Sequence, residues 1–122
     1  MSKIAITSEG PDLDDPVDPR FGRAAGFLVV DVETMDTSYI DNGQTQVLAQ
    51  GAGIQAAQLV AGAGVDCVLS GFVWPKAFQA LSAVKIKVVQ DLDEGMTVRQ
   101  AVEKYKRGAV RFAEGPNRGA GR

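Results

Sequence analysis

Residues 51–71 read GAGIQAAQLVAGAGVDCVLSG, and their pattern decides the fold. From Ala52 the apolar residues Ile54, Ala57 and Ala61, flanked by Ala56, Leu59, Val60 and Ala63, recur at helical spacing, and Gly62 and Gly64 end the run. That apolar face is too wide for a surface helix and suits one lying flat on a sheet. Residues 65–70 follow as an apolar run broken only by Asp66, the pattern of a buried parallel strand. A helix feeding a buried strand is half of a βαβ unit, so the chain reads as α/β.

The same alternation continues outward. Pro75 suits the first turn of a second helix with Ala77, Phe78 and Leu81 on its inner face, and KIKVVQ (85–90) reads as a fifth strand. In a third helix Thr97 and Gln100 form a T-x-x-Q capping box. Val98, Ala101, Val102 and Tyr105 repeat at i, i+3, i+4, i+7, and Gly108 is the stop. Toward the N-terminus, KIAITS (3–8) is strand-like, and GFLVVDVE (26–33) and TSYID (37–41) read as a hairpin. The Pro-, Gly- and Asp-rich stretch 9–22 and the polar stretch NGQTQVLAQ (42–50) are loops.

The element order is therefore β-β-β-α-β-α-β-α. Right-handed crossovers make strands 1, 4 and 5 parallel, with strand 2 antiparallel to strand 1. The loops after strands 1, 3, 4 and 5 then share one edge of the sheet, and all three helices begin there. Helix N-termini carry partial positive charge and open N–H groups, and this carboxyl edge is where open α/β sheets usually hold ligands.

At 122 residues the chain is expected to form one domain over residues 1–108, with a Gly- and Arg-rich tail at 109–122 expected to be disordered. The net charge of −2 does not mark a nucleic-acid binder, and no apolar run approaches the ~18 residues of a membrane span. The N-terminus enters a strand pattern directly, so no signal peptide is expected. A single cysteine, Cys67, cannot form an internal disulfide, and a monomer in a reducing cytoplasm is the expectation. Histidine is absent, which removes the commonest metal ligand and the commonest general base. Cys/His zinc sites and His-dependent nucleophilic machinery are excluded with it.

Gly51, Gly53 and Ala56 satisfy the G-x-G-x-x-A form of the dinucleotide fingerprint, but the surroundings do not. That motif needs a strand ending in its first glycine and an acidic residue ending the next strand. Here roughly nine loop residues precede Gly51, and Asp66 begins the following strand. No P-loop motif occurs either. Gly51 and Gly53 either bring backbone N–H groups close to an anion or simply permit tight helix entry.

In DPRFGRAAGF (18–27), Arg20 and Arg23 flank Phe21 and Gly22. These residues form a cationic, partly apolar lip, or else a buried Phe21 anchors a loop whose arginines pair with Asp12, Asp14, Asp15 and Asp18. The aspartates lack EF-hand spacing. Cys67 reads as a core residue or a soft thiolate ligand, and Met96 as filler or a thioether contact. Trp74 and Pro75 stand at the presumed ligand edge.

The combination of P-x-F-G-R (19–23), G-A-G-I-x-A-A (51–57) and G-x-x-x-P-x-A-F (71–78) resembles the dinitrogenase iron–molybdenum cofactor biosynthesis family. The resemblance spans residues 3 to about 108 and is strongest to the family's molybdenum–copper branch, the orange proteins. It implies a ribonuclease H-like mixed five-stranded sheet with three helices. No nuclease activity is implied, and strand 1 lacks the aspartate that a two-metal nuclease would place there.

It further implies non-enzymatic binding of an anionic metal–sulfur cluster, in that branch a molybdenum–copper sulfide cluster held non-covalently, by a carrier, store or sensor. Carried onto this sequence, the binding residues are Arg20, Phe21, Gly22, Arg23, Gly51, Ala52, Gly53, Trp74 and Pro75, with no catalytic residue and no protein ligand to metal. The alternative is an interaction module that regulates a P-loop ATPase partner. Two departures stand out: the histidine that some family cofactor carriers use is missing, and Trp74 replaces a glycine found in many relatives.

Overall fold

The computed structural model describes residues 2–43, 51–93 and 95–115. Five strands, β1 (Lys3–Ser8), β2 (Gly26–Asp31), β3 (Thr37–Asp41), β4 (Cys67–Leu69) and β5 (Lys87–Val89), form one sheet in the order β3-β2-β1-β4-β5. β1 pairs antiparallel with β2 and parallel with β4; β2–β3 is antiparallel and β4–β5 parallel. This is the expected ribonuclease H-like arrangement. The described helices are α1 (Ala52–Gly62), α2 (Pro75–Ala83) and α3 (Val98–Lys106).

Strand periodicity divides the core into two layers, because successive side chains point to opposite faces. Ala5, Phe27, Val29, Val68 and Val88 face α1 and α2, packing with Ala56, Val60, Ala77 and Leu81. Ile4, Ile6, Leu28, Val30, Leu69 and Val89 face α3, packing with Val98, Ala101 and Val102. Each fully buried aliphatic side chain contributes about 1.5–3 kcal/mol of transfer free energy. A sheet covered on both faces explains why β2 is buried along its whole length.

Five sequence expectations need local correction. Strand 2 stops at Asp31, whose carboxylate accepts the N–H groups of Glu33 at 2.9 Å and Thr34 at 3.3 Å, turning the chain early. Strand 4 is shorter than 65–70, and strand 5 cannot start at Lys85, whose φ of 65° is left-handed. The buried face of α1 is narrower than expected, with Ile54 and Leu59 each 37% exposed. The first part of the segment expected to be a tail lies against β5. The Ala113 N–H donates to the Val88 carbonyl at 2.8 Å, and the Lys87 ammonium lies 4.9 Å from the Phe112 ring centroid. Residues 44–50, within the stretch read in sequence as a loop, and 116–122, within the stretch read as a tail, lie outside the described residues.

The capping box of α3 is complete: the Gln100 N–H donates to Thr97 Oγ1 at 3.1 Å, and the Thr97 N–H to Gln100 Oε1 at 2.9 Å. Thr97→Ala is expected to cost about 1 kcal/mol, read as a lower urea midpoint at unchanged slope.

Candidate functional site

The strand pairings place Ser8, Gly26, Asp41, Leu69 and Val89 at one edge of the sheet, where all three described helices begin. The three helix starts are not equivalent. At α3 the Val98 N–H donates to the Asp15 carbonyl at 2.9 Å, Arg99 to Leu13 at 2.7 Å, and Gln100 to the Thr97 side chain. Loop 10–18 therefore folds over that helix and uses its donors. Among the described residues no side chain caps α1 or α2. Pro75 at the start of α2 has no N–H to offer, which leaves α1 as the richest backbone donor.

The entry to α1 is shaped by Gly51, the cap residue, at φ 77° and ψ 9°. A side chain there would carry left-handed strain. Against this entry lies the segment containing Arg20, Phe21, Gly22 and Arg23. A Cβ on residue 22 would stand 2.9 Å from the Gly53 nitrogen and 3.0 Å from its Cα, so only glycine lets the two backbones meet. On its other side the segment runs parallel to the chain entering α2. The Phe72 N–H donates to the Pro19 carbonyl at 2.9 Å and the Phe21 N–H to the Phe72 carbonyl at 3.3 Å. Trp74 is 57% exposed, with its ring edge-on to Phe72 at 6.1 Å.

Gly22, Gly51–Gly53 and the Phe72–Pro75 turn, widely separated in sequence, thus meet at one edge. Phe21 does not line it: the ring is fully buried, 5.3 Å from Phe27, and serves as the loop's anchor. Ala52 is buried as well, so it can offer backbone only. Arg20 is partly committed, its N–H and Nε donating to Asp18 Oδ1 at 3.0 and 3.4 Å. Asp18 is itself buried, held by its N–H to the Thr7 carbonyl and by the Thr7 hydroxyl on its own carbonyl. Asp14 pairs instead with Arg99 at 2.9 Å, and that guanidinium holds its carboxyl below the usual carboxylate range.

An open groove of about 710 Å³ lies beside Arg20, bordered by Glu9, Val17, Asp18, Ala25 and Gly95. Two carboxylates on its wall disfavour an anion there, and it includes neither Gly51–Gly53 nor Trp74. The meeting point at α1 is the better candidate on chemical grounds.

Among the described residues no group of three His, Cys, Asp or Glu side chains could hold a metal ion. Cys67 opens β4, at the end opposite this edge, and its burial pushes the thiol pKa up to about 12. The thiolate alternative is therefore dropped. The native protein is expected to leave Cys67 unmodified by a thiol-reactive dye at pH 8, and to label it fully once unfolded in guanidinium. Met96 packs at the margin of the α3 layer, and its carbonyl accepts the Val17 N–H. Of the four aspartates read in sequence as possible partners of the loop arginines, Asp18 is the one that holds Arg20; sequence reasoning missed Asn42 altogether. Asn42 is buried and its side-chain amide reaches Gly22 and Ala24, yet in sequence it is one more polar loop residue.

The apo form of the orange protein from Desulfovibrio gigas is similar at 60% identity, covering 97% of this chain and 98% of that one, with a TM-score of 0.93. An NMR structure of a NifB candidate from Thermotoga is 30% identical over 92% of this chain and 93% of its own, with a TM-score of 0.79. A dinitrogenase candidate from Methanocaldococcus jannaschii, at 16% identity, 93% and 96% coverage and a TM-score of 0.64, shares the fold. No curated protein matches the chain. The family model described as dinitrogenase iron-molybdenum cofactor matches residues 2–108. The chain belongs to the dinitrogenase iron–molybdenum cofactor family.

Proposed function

We propose that this protein binds an anionic metal–sulfur cluster, a molybdenum–copper sulfide held non-covalently, and acts as its carrier, store or sensor without catalysing a reaction. The observation that carries the reading is the meeting of Gly22, the uncapped start of α1 and the Phe72–Pro75 turn at one sheet edge. The 60% identity to the orange protein supports it.

The donor set suits such a cargo. A sulfide-coated anion needs N–H donors, cations and apolar walls; direct side-chain ligands are dispensable. The backbone of Gly51, Ala52 and Gly53, the cations Arg20 and Arg23 and the indole of Trp74 supply these, with Gly22 and Pro75 shaping the approach. Phe21 acts from behind, as the anchor of the loop. The cluster brings its own metal–sulfur bonds, and the protein's part is to orient it and shield it from water.

Anaerobic titration of the purified protein with tetrathiomolybdate and copper(I), followed by visible absorption and gel filtration, tests the proposal. Charge-transfer bands that saturate at a fixed stoichiometry and co-elute with the protein are expected, weakened by Arg20→Ala and by Arg23→Ala. Metals eluting free of a colourless protein would overturn the cluster reading and turn attention to a protein partner.

A further inference from the structure

Asn42, the residue after β3, is 1% exposed. Its side-chain amide donates to two carbonyls, Ala24 at 2.9 Å and Gly22 at 3.3 Å, and its backbone N–H donates to Ala25 at 2.9 Å. The two side-chain acceptors are the residues immediately before and after Arg23. One planar NH₂ group therefore grips the chain on both sides of that arginine, and fixes the backbone from which the guanidinium projects.

The grip depends on the donors alone. Asn42 Oδ1 is buried and has no hydrogen-bond partner among the described residues, so the same side chain shows no second contact there to compensate for loss of the NH₂ contacts. The position requires a hydrogen-bond donor. A carboxylate of the same shape would face two carbonyl oxygens with no proton to give, and alanine would leave both carbonyls without their donor.

Gly22 is also the residue that touches the Gly53 backbone. The amide thus fixes Arg23 and the contact with α1 through a single group. We infer that Asn42 is a positioning residue for the anion site, holding Arg23 in register with the start of α1 without itself touching the ligand. This inference rests on the cluster-binding reading of the same edge.

A double-mutant cycle tests it, using tetrathiomolybdate with copper(I) as the probe. Asn42→Ala is expected to weaken binding about tenfold in the wild-type background and in Arg20→Ala, but by a clearly smaller factor in Arg23→Ala, where only the contact with α1 is left to position. A purely structural role would weaken all three backgrounds equally, and that result would overturn the inference. Asn42→Ser, which keeps one donor, should recover part of the affinity, while Asn42→Asp should not. The serine variant also serves if the alanine variant fails to fold.

Backbone ¹⁵N order parameters in the cluster-free protein give a separate readout. They are expected to fall at residues 22–24 in Asn42→Ala and to stay unchanged elsewhere. Unchanged order there would sink the positioning role even if the cluster binds. Failure of the wild-type protein to bind thiomolybdate would instead count against the cluster reading, leaving the order parameters to decide the role of Asn42.

Discussion

Phe21→Ala is expected to lower the free energy of unfolding by about 3–5 kcal/mol, the largest effect of any single substitution in the loop preceding β2. The ring is fully buried and tilted against Phe27 at 5.3 Å, within the layer that also contains Val73, Ala77 and Leu81. Truncation leaves a cavity between the sheet and α2, which this well-packed layer can close only by moving backbone. For a chain of this length the melting temperature should fall by roughly 10–20 °C. Calorimetry with and without thiomolybdate and copper would separate the two roles considered for this residue. If the ring touched the ligand, the variant would lose affinity with little change in the melting of the cluster-free protein. A large loss of stability before any ligand is added is the outcome that burial requires.

Gly22→Ala is expected to show the reverse balance. The added methyl would lie 2.9 Å from the Gly53 nitrogen and 3.3 Å from the Ala52 carbonyl carbon, and both obstacles are backbone. The loop and α1 must separate by several tenths of an ångström, at about 1–3 kcal/mol of overpacking. Binding should suffer more. If one or two charge-assisted hydrogen bonds are lost, affinity for the thiomolybdate–copper anion falls by about ten- to a hundredfold. Gly62→Ala, at the far end of the same helix with open space around it, is the matched control and should leave binding intact. Equal binding by Gly22→Ala and wild type would remove the loop–helix junction from the site.

The architecture was legible because its signals are local. The i, i+3, i+4, i+7 pattern and the capping box located α3, and the run around Cys67–Leu69 announced a strand buried on both faces. Strand ends were less legible, because they depend on single residues such as Lys85 in a left-handed turn and Asp31, whose carboxylate accepts the N–H groups of Glu33 and Thr34. The site was half legible. Its glycines and arginines stand out in sequence, and topology predicts the edge they share. That Gly22 meets Gly53 across thirty intervening residues follows from docking the loop against α1, and no spacing encodes it. The convergence of three helix starts was also overstated in sequence, since the loop carbonyls of Leu13 and Asp15 satisfy α3. Asn42 carried no signal, because asparagine after a strand is read as turn chemistry.

The exposed indole beside α2 has an optical consequence. Trp74 is the chain's single tryptophan, so the long-wavelength ultraviolet emission of the folded protein arises from one point, at the edge where Gly22 meets α1. Its colour and quenching report the polarity and occupancy of that edge with no contribution from the core. On the cluster reading proposed above, arrival of an absorbing cargo at that edge would extinguish this emission.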